Sequence, residues 1–382
     1  MITTRATRRR RASRRARHRR GLLAILAVTL MAGAVAVFAA GRVPAPGPVQ
    51  TVAASEAPTS PPPTSAPLTA SERLLAAASD PRACAVSFAG DGIADEPRLE
   101  TEGTRYEALP LPRVEGRVFA GWYPTVGDAA ALTAAARVNG ADLVACTARQ
   151  RVLHAGWTTP AANAAEDARI PILMYHQFTE RPEGEDTWLR GNYAYVGDFE
   201  AQMAYIRQAD FYLPTWDELS AFIDGALFLP KHSVVITDDD ADPTWVDLAA
   251  PVVAHWQLLT TSFVITSART DPAPNAFVQQ RSHTHDMHRA GANGKGRMVN
   301  EDAETIAADL EQSARILGAK EVVAYPYGHS DETAREGVRR AGFEMARTIE
   351  PGRVRIGTDK LALPVVRIDY GMTADDLRSA IG

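Results

Sequence analysis

The sequence has only two cysteines, Cys84 and Cys146, and no Cys-x-x-Cys pair. That scarcity argues against a thiolate zinc cage and against a dithiol redox centre. The first twenty residues contain no acid, yet they hold ten arginines. Subtracting those ten leaves 31 basic against 46 acidic side chains in the rest of the chain. An acidic body argues against nucleic acid as the main partner. Charge is also missing from residues 21–40, a run rich in Ala, Leu and Val. About 20 apolar residues cross a bilayer as a helix. The run therefore predicts a transmembrane anchor, with 1–20 as a basic cytoplasmic flank and everything after it outside. A cleaved signal segment ending near Phe38-Ala39-Ala40, and hence a secreted protein, is the alternative.

Residues 41–70 are dense in Pro, Ala, Ser and Thr and include Pro61-Pro62-Pro63. Such a stretch cannot bury a core and predicts an extended linker. Residues 71–160 read as a small β-rich module. Residues 85–88 alternate as a strand does, and Gly90-Asp91-Gly92 follows as a turn. Phe119-Ala120-Gly121-Trp122-Tyr123 and Leu153-His154-Ala155-Gly156-Trp157 complete it. This spacing resembles the internalin-B-type repeat of bacterial surface proteins. Trp122 is expected in the core, with sugar stacking by Trp122 and Tyr123 as the alternative. Both cysteines fall here, and a pair in a small exported module reads as a disulfide. Two buried thiols are the other possibility.

From residue 161 to 382 the pattern changes to strands alternating with helices. It predicts an α/β fold with parallel strands, on the scale of a small or incomplete barrel. Strands are expected at 172–175, 234–236, 261–265, 322–325 and 363–368. Helices are expected after Asp198 as a cap, at 216–223, at 301–317 with Asn300 as cap, at 331–341 and at 373–380.

Two stretches carry the chemistry. Val234, Val235 and Ile236 run into three consecutive acids, Asp238, Asp239 and Asp240. Crowded carboxylates repel, and that cost usually calls for a counter-ion or a shifted pKa. The second stretch offers His283, His285 and His288. Carboxylate plus imidazole is a ligand set that a divalent metal, zinc above all, accepts. A solvated turn and a surface histidine cluster are the bland readings of each stretch alone.

In order along the chain stand Ile172-Leu173-Met174-Tyr175-His176, Thr237-Asp238-Asp239-Asp240, Ser282-His283-Thr284-His285-Asp286-Met287-His288 and Ala324-Tyr325-Pro326-Tyr327-Gly328. Together they resemble the polysaccharide deacetylase family, the NodB-homology domain of carbohydrate esterase family four, and most of all its poly-N-acetylglucosamine deacetylase branch. The resemblance implies a distorted (β/α) barrel and a metal-dependent hydrolase that removes acetyl groups from N-acetylhexosamine polymers of the wall or an exopolysaccharide. It implies Asp239 as general base and Asp240, His283 and His288 as metal ligands. It implies His176 as general acid and the Tyr327 backbone N–H as a donor to the oxyanion. His285 is an alternative ligand, and Asp286 a candidate acceptor behind a ligand histidine. The implied partners are an acetylated polysaccharide and, through residues 21–40, the membrane. A catalytically impaired glycan-binding relative and an O-acetyl esterase are the competing readings.

Three departures stand out. Asp238 occupies a position where the family places an aromatic or aliphatic residue. Ala241 replaces a glycine, which would strain the turn if that residue has φ > 0. Ala324 stands where many members have an arginine near the base.

Overall fold

A computed structural model describes residues 67–93, 97–106 and 108–382. The expected basic flank, the anchor at 21–40 and most of the linker lie outside the described residues. Among the described residues no helix is long and apolar enough to cross a membrane. The described residues belong to one compact unit.

The unit begins with helix α1 (Ala70–Ala77), closed at its start by a Thr69/Glu72 capping box. Strands β1 (Ala83–Ala89), β2 (Arg98–Thr101) and β3 (Val118–Tyr123), helix α2 (Val126–Ala131) and strand β4 (Gln150–Thr158) follow. They form a four-stranded sheet in the order β2-β1-β4-β3. Its core is aromatic. The Trp122 ring lies 4.8 Å from Phe88 and 5.2 Å from Phe119, and its indole N–H donates to the Pro110 carbonyl at 2.8 Å. Trp122 is a core residue here, buried to 2% exposure. Gly121 is required twice over: its φ is +105°, and a Cβ would stand 2.3 Å from Arg137 Nε. Cys84 and Cys146 are joined as a disulfide across 62 residues of sequence. Closing a loop of that length removes about 4 kcal/mol of unfolded-state entropy in the chain-entropy model.

Helix α3 (Pro160–Glu166) leads into the second part. Strand β5 (Ile172–Tyr175) is followed by β6 (Gln177–Thr179) and β7 (Tyr193–Tyr195), a small parallel pair. Helices α4 (Val196–Gln208) and α5 (Trp216–Ile223) come next, then β8 (Val235–Asp239), helix α6 (Ala250–Trp256), β9 (Thr260–Val264) and β10 (Val278–Ser282). Helix α7 (Ala303–Leu317), β11 (Val322–Ala324), helix α8 (Glu332–Arg340), β12 (Met345–Pro351), β13 (Leu363–Arg367) and helix α9 (Ala374–Ile381) complete the chain. The strands β5, β8, β9, β10, β11, β12 and β13 close into a barrel, each parallel to its neighbours. All their C-terminal ends therefore point to one mouth.

Two caps differ from expectation. Helix α4 starts at Val196 after Tyr195, which places Asp198 inside the first turn rather than before it. Asp302, not Asn300, caps α7 and accepts from the Thr305 N–H at 2.8 Å. Asn300 is engaged one loop earlier, where its amide donates to Asn293 and to the Gly296 carbonyl. Strands β10 and β12 are additions to the expected set. Their Gln279, Gln280, Arg281 and Arg347 interrupt the apolar pattern that marks a buried strand.

The two parts share one core. A single apolar cluster runs from Val86, Phe88 and Phe119 through Trp216, Leu219 and Phe222 of α5 to Ile172, Met174 and Val365 of the barrel. Phe228 N–H donates to the Phe119 carbonyl at 2.8 Å. Arg137 is buried at the seam, donates to the Phe228 carbonyl at 2.8 Å, faces Glu218 at 3.4 Å and lies over the Tyr212 ring. The small sheet and α5 thus close the barrel's N-terminal end, leaving the C-terminal mouth for chemistry.

Candidate active site

Every residue singled out for catalysis or metal binding falls at or just beyond a strand's C-terminal end. Asp239 is the last residue of β8, and Asp240 follows it. His283 comes directly after β10, and His288 lies five residues further on. His176 follows β5, and Tyr327 sits in the short 3-10 turn Pro326–Gly328 after β11.

Asp240, His283 and His288 come together. Their ligand atoms lie within 4.8 Å of one another. Asp240 Oδ1 is 3.3 Å from His283 Nε2 and 3.3 Å from His288 Nε2. The His283 Nδ1 is 2.9 Å from the Ala324 carbonyl, which can only accept. Nδ1 therefore carries the proton, and in the neutral ring Nε2 presents a lone pair to a carboxylate oxygen. Two acceptors face each other, an arrangement that requires a proton or a cation between them. The donor set, two imidazoles and a carboxylate, suits a divalent metal.

The charges agree. Burial opposes ionisation of Asp240, but the His283 hydrogen bond and the His283 and His288 imidazoles outweigh it and hold the carboxyl well below its ordinary range. Burial would lower His283, but Asp240 and Asp239 outweigh it and raise this imidazole. Burial, and then neighbouring His283, push His288 down to about 4. The His288 imidazole is thus neutral at physiological pH and can offer a lone pair.

Asp239 sits beside this cluster with a different partner. Arg347 of β12 is fully buried and donates to both Asp239 carboxylate oxygens. Burial opposes the charge on Asp239, but Arg347, His176 and His283 reverse the balance and hold the carboxyl low. This arginine is absent from the expected site. Its position explains the missing one at Ala324, because Arg347 is the Cα partner of Ala324 in the β11–β12 register. The guanidinium comes from the neighbouring strand at the same level of the barrel. The signal available in the sequence is a lone Arg within Met345-Ala346-Arg347-Thr348-Ile349, an otherwise β-prone segment.

His176 Nε2 lies 3.7 Å from Asp239 Oδ2. Burial lowers its pKa, and Asp239 and Asp240 work against that shift. The Tyr327 ring packs 4.4 Å from the His288 ring. Tyr327 has φ 58° and is 43% exposed, which leaves the aromatic at the edge of the mouth.

His285 does not join the cluster. Its Nδ1 pairs with Thr266 Oγ1 at 3.0 Å, and its backbone N–H donates to Asp309. Asp286 is not the acceptor behind a ligand histidine. It pairs with Arg289 and Arg297, and the Ala324 carbonyl takes the place behind His283. Asp238 faces away from Asp239 by strand alternation and is fully buried. Burial, reinforced by Asp239, Asp240 and Asp242, raises its pKa well above the carboxylate range. Ala241 has φ 51°, and Asp240 before it has φ 74°, so the turn does require two left-handed residues.

Parts of the chain are similar to known proteins. Residues 229–346 match the family model described as polysaccharide deacetylase. Poly-beta-1,6-N-acetyl-D-glucosamine N-deacetylase of Staphylococcus aureus strain MRSA252 is 25% identical over 191 residues, covering 44% of this chain and 66% of that protein. The protein of the same name from Staphylococcus epidermidis is 22% identical over 192 residues, covering 45% and 66%. The match therefore spans slightly under two thirds of those relatives' length. Among solved structures, Streptococcus pyogenes deacetylase PplD in complex with acetate aligns with a TM-score of 0.48 and 18% identity, covering 56% of this chain and 99% of that one. IcaB from Ammonifex degensii aligns with a TM-score of 0.46 and 20% identity, covering 56% and 96%.

Proposed function

We propose that this chain is a metal-dependent hydrolase that removes N-acetyl groups from an N-acetylhexosamine polymer of the cell wall or an exopolysaccharide. The observation that carries the reading is the convergence of Asp240, His283 and His288 on one point, beside an ionised Asp239. The polymer class rests on the polysaccharide deacetylase domain and on the names of the staphylococcal relatives. A divalent cation held by the three ligands, zinc above all, supplies Lewis-acid polarisation of the amide carbonyl and makes water more acidic.

The remaining steps belong to protein groups. Asp239, kept ionised and oriented by Arg347, accepts the proton of the attacking water. The Tyr327 backbone N–H donates to the amide oxygen as it gains charge. An amine is a poor leaving group unless protonated, and His176, whose Nε2 lies 3.7 Å from Asp239 Oδ2, is placed to pass it a proton. The same reading puts the protein outside the cell, tethered through residues 21–40 or secreted if that segment is removed. The Cys84–Cys146 disulfide supports it, because such bonds persist in oxidising compartments.

Acetate release from β-1,6-linked N-acetylglucosamine oligomers tests the proposal. A chelator should abolish release and added zinc restore it. Asp240→Ala and His288→Ala should lose bound metal, whereas Asp239→Asn should keep it and lose turnover by about 100-fold or more. Metal retained in both ligand variants would overturn the site. Zinc-loaded protein that binds the oligomer and releases no acetate would overturn the enzyme.

A further inference from the structure

A cavity lies at the end of the barrel opposite the catalytic residues, on the seam with the small sheet. It measures about 280 Å³. Its lining comes from both parts. Residues 105–111 of the small module contribute Arg105, Tyr106, Leu109 and Leu111, and the barrel side contributes Asp217 and Arg281. Asp217 stands in the first turn of α5, and Arg281 lies on β10, two residues before His283. The cavity does not open into the catalytic mouth along this line. Phe263 fills the interval, 6.0 Å from Trp216 on the cavity side and 6.5 Å from His283 on the other.

The chemistry of the lining is divided. One side is aromatic and aliphatic, and the other presents guanidinium and carboxylate groups. Arg281 is held by Glu321 at 2.6 Å, so the polar side is fixed in place. Arg105 and Arg281 both line the cavity, and burial, then the nearby Arg281, lower the Arg105 pKa. A flat apolar face against a rim of fixed donors and acceptors suits a pyranose ring. Its C–H face can pack on Tyr106, Leu109 and Leu111, and its hydroxyls can both donate and accept. A volume just under the roughly 300–1,000 Å³ of drug-sized sites suits one ring rather than a chain. A second cavity shares Leu111 and Asp217 and continues along the same seam past Asp224 and Glu344. A polymer held at one ring thus has a path onward.

We infer that the seam between the small sheet and the barrel is a second glycan-binding site, which holds one hexose unit of the acetylated polymer away from the reacting residues. The choice of polymer rests on the proposed function, and the existence of the site does not. Such a site lets the small module retain the polymer between successive encounters with the mouth.

The test uses the full chain carrying Asp239→Asn, so that oligomer is bound without turnover. Calorimetric titration with a β-1,6-linked N-acetylglucosamine pentamer should show two sites. Tyr106→Ala and Asp217→Asn should each weaken one of them at least tenfold, with the far-ultraviolet spectrum unchanged. In the chain with Asp239 intact, the same two variants should leave acetate release from the soluble trimer unchanged and slow release from long polymer. A single site indifferent to both substitutions would overturn the inference. Two-site binding without acetate release would sink the catalytic reading and leave this one standing. Acetate release with one indifferent site would do the reverse.

Discussion

Arg347 shows how one side chain sets the state of another. It is completely buried, and its guanidinium engages both oxygens of Asp239. Removing one partner of a buried pair leaves an uncompensated charge, at a cost of about 3–5 kcal/mol. Arg347→Met should therefore drive Asp239 toward its protonated form and lower kcat by about 100-fold or more, with bound metal retained. Because Ala324 is the register partner of Arg347, Ala324→Arg combined with Arg347→Ala should recover at least part of that loss. Acetate release and metal content measured on the same three proteins would decide the matter. Asp238 is the opposite case. Its Oδ1 is buried without a hydrogen bond, and Ser262 reaches Oδ2 only at 3.4 Å. Burying a polar group unpaired costs about 1–3 kcal/mol. Asp238→Val should raise the denaturant midpoint by a corresponding amount and leave turnover within a few fold.

Elements place these side chains, and their ends are the part least legible from sequence. The β-branched run before the three acids makes β8 legible, and the spacing of Leu and Ile makes α7 legible. Helix α5 appears over the same residues that the sequence marks, because Thr215 and Glu218 form a capping box at its start. The meeting of Asp240 after β8 with His283 and His288 after β10 is legible only through four motifs in order, since β10 itself is largely polar. Arg347 is not legible, because no local pattern says which strand will lie beside β11. The turn after β8 offers a direct check on element geometry. Asp240 and Ala241 are both left-handed, a conformation that costs a residue with a Cβ roughly 1–2 kcal/mol. Ala241→Gly should relieve part of that, offset by the greater freedom of glycine in the unfolded chain. A net gain of about 0.5–1 kcal/mol in urea unfolding is expected, with metal binding kept. A loss of stability would mean that Ala241, which is 4% exposed, contributes more through packing than it costs in backbone strain.

At the scale of the whole molecule, the small sheet and the barrel present two sheets but one interior. Barrels of parallel strands need both ends closed or solvated, and here α5 fills the lower end with Trp216, Leu219 and Phe222. Those side chains meet Phe88, Phe119 and Trp122 from the small sheet within the same cluster. Each large side chain so buried contributes about 1.5–3 kcal/mol relative to exposure. The Arg137 guanidinium finds Phe228, Glu218 and Tyr212 on the barrel side, so cutting at the seam would also strip those partners. Total stabilities of domains are only about 5–15 kcal/mol. Losing several such contacts at once is therefore comparable with the whole. A chain of residues 159–382 alone should expose an apolar floor, bind a hydrophobic dye and melt far below the chain of residues 67–382 or fail to fold. The longer chain should unfold in a single transition, with far-ultraviolet and tryptophan signals coinciding. Two separated transitions, with the barrel melting unchanged after truncation, would show that the shared cluster is contact without cooperativity. The small sheet would then be a passenger rather than the barrel's floor.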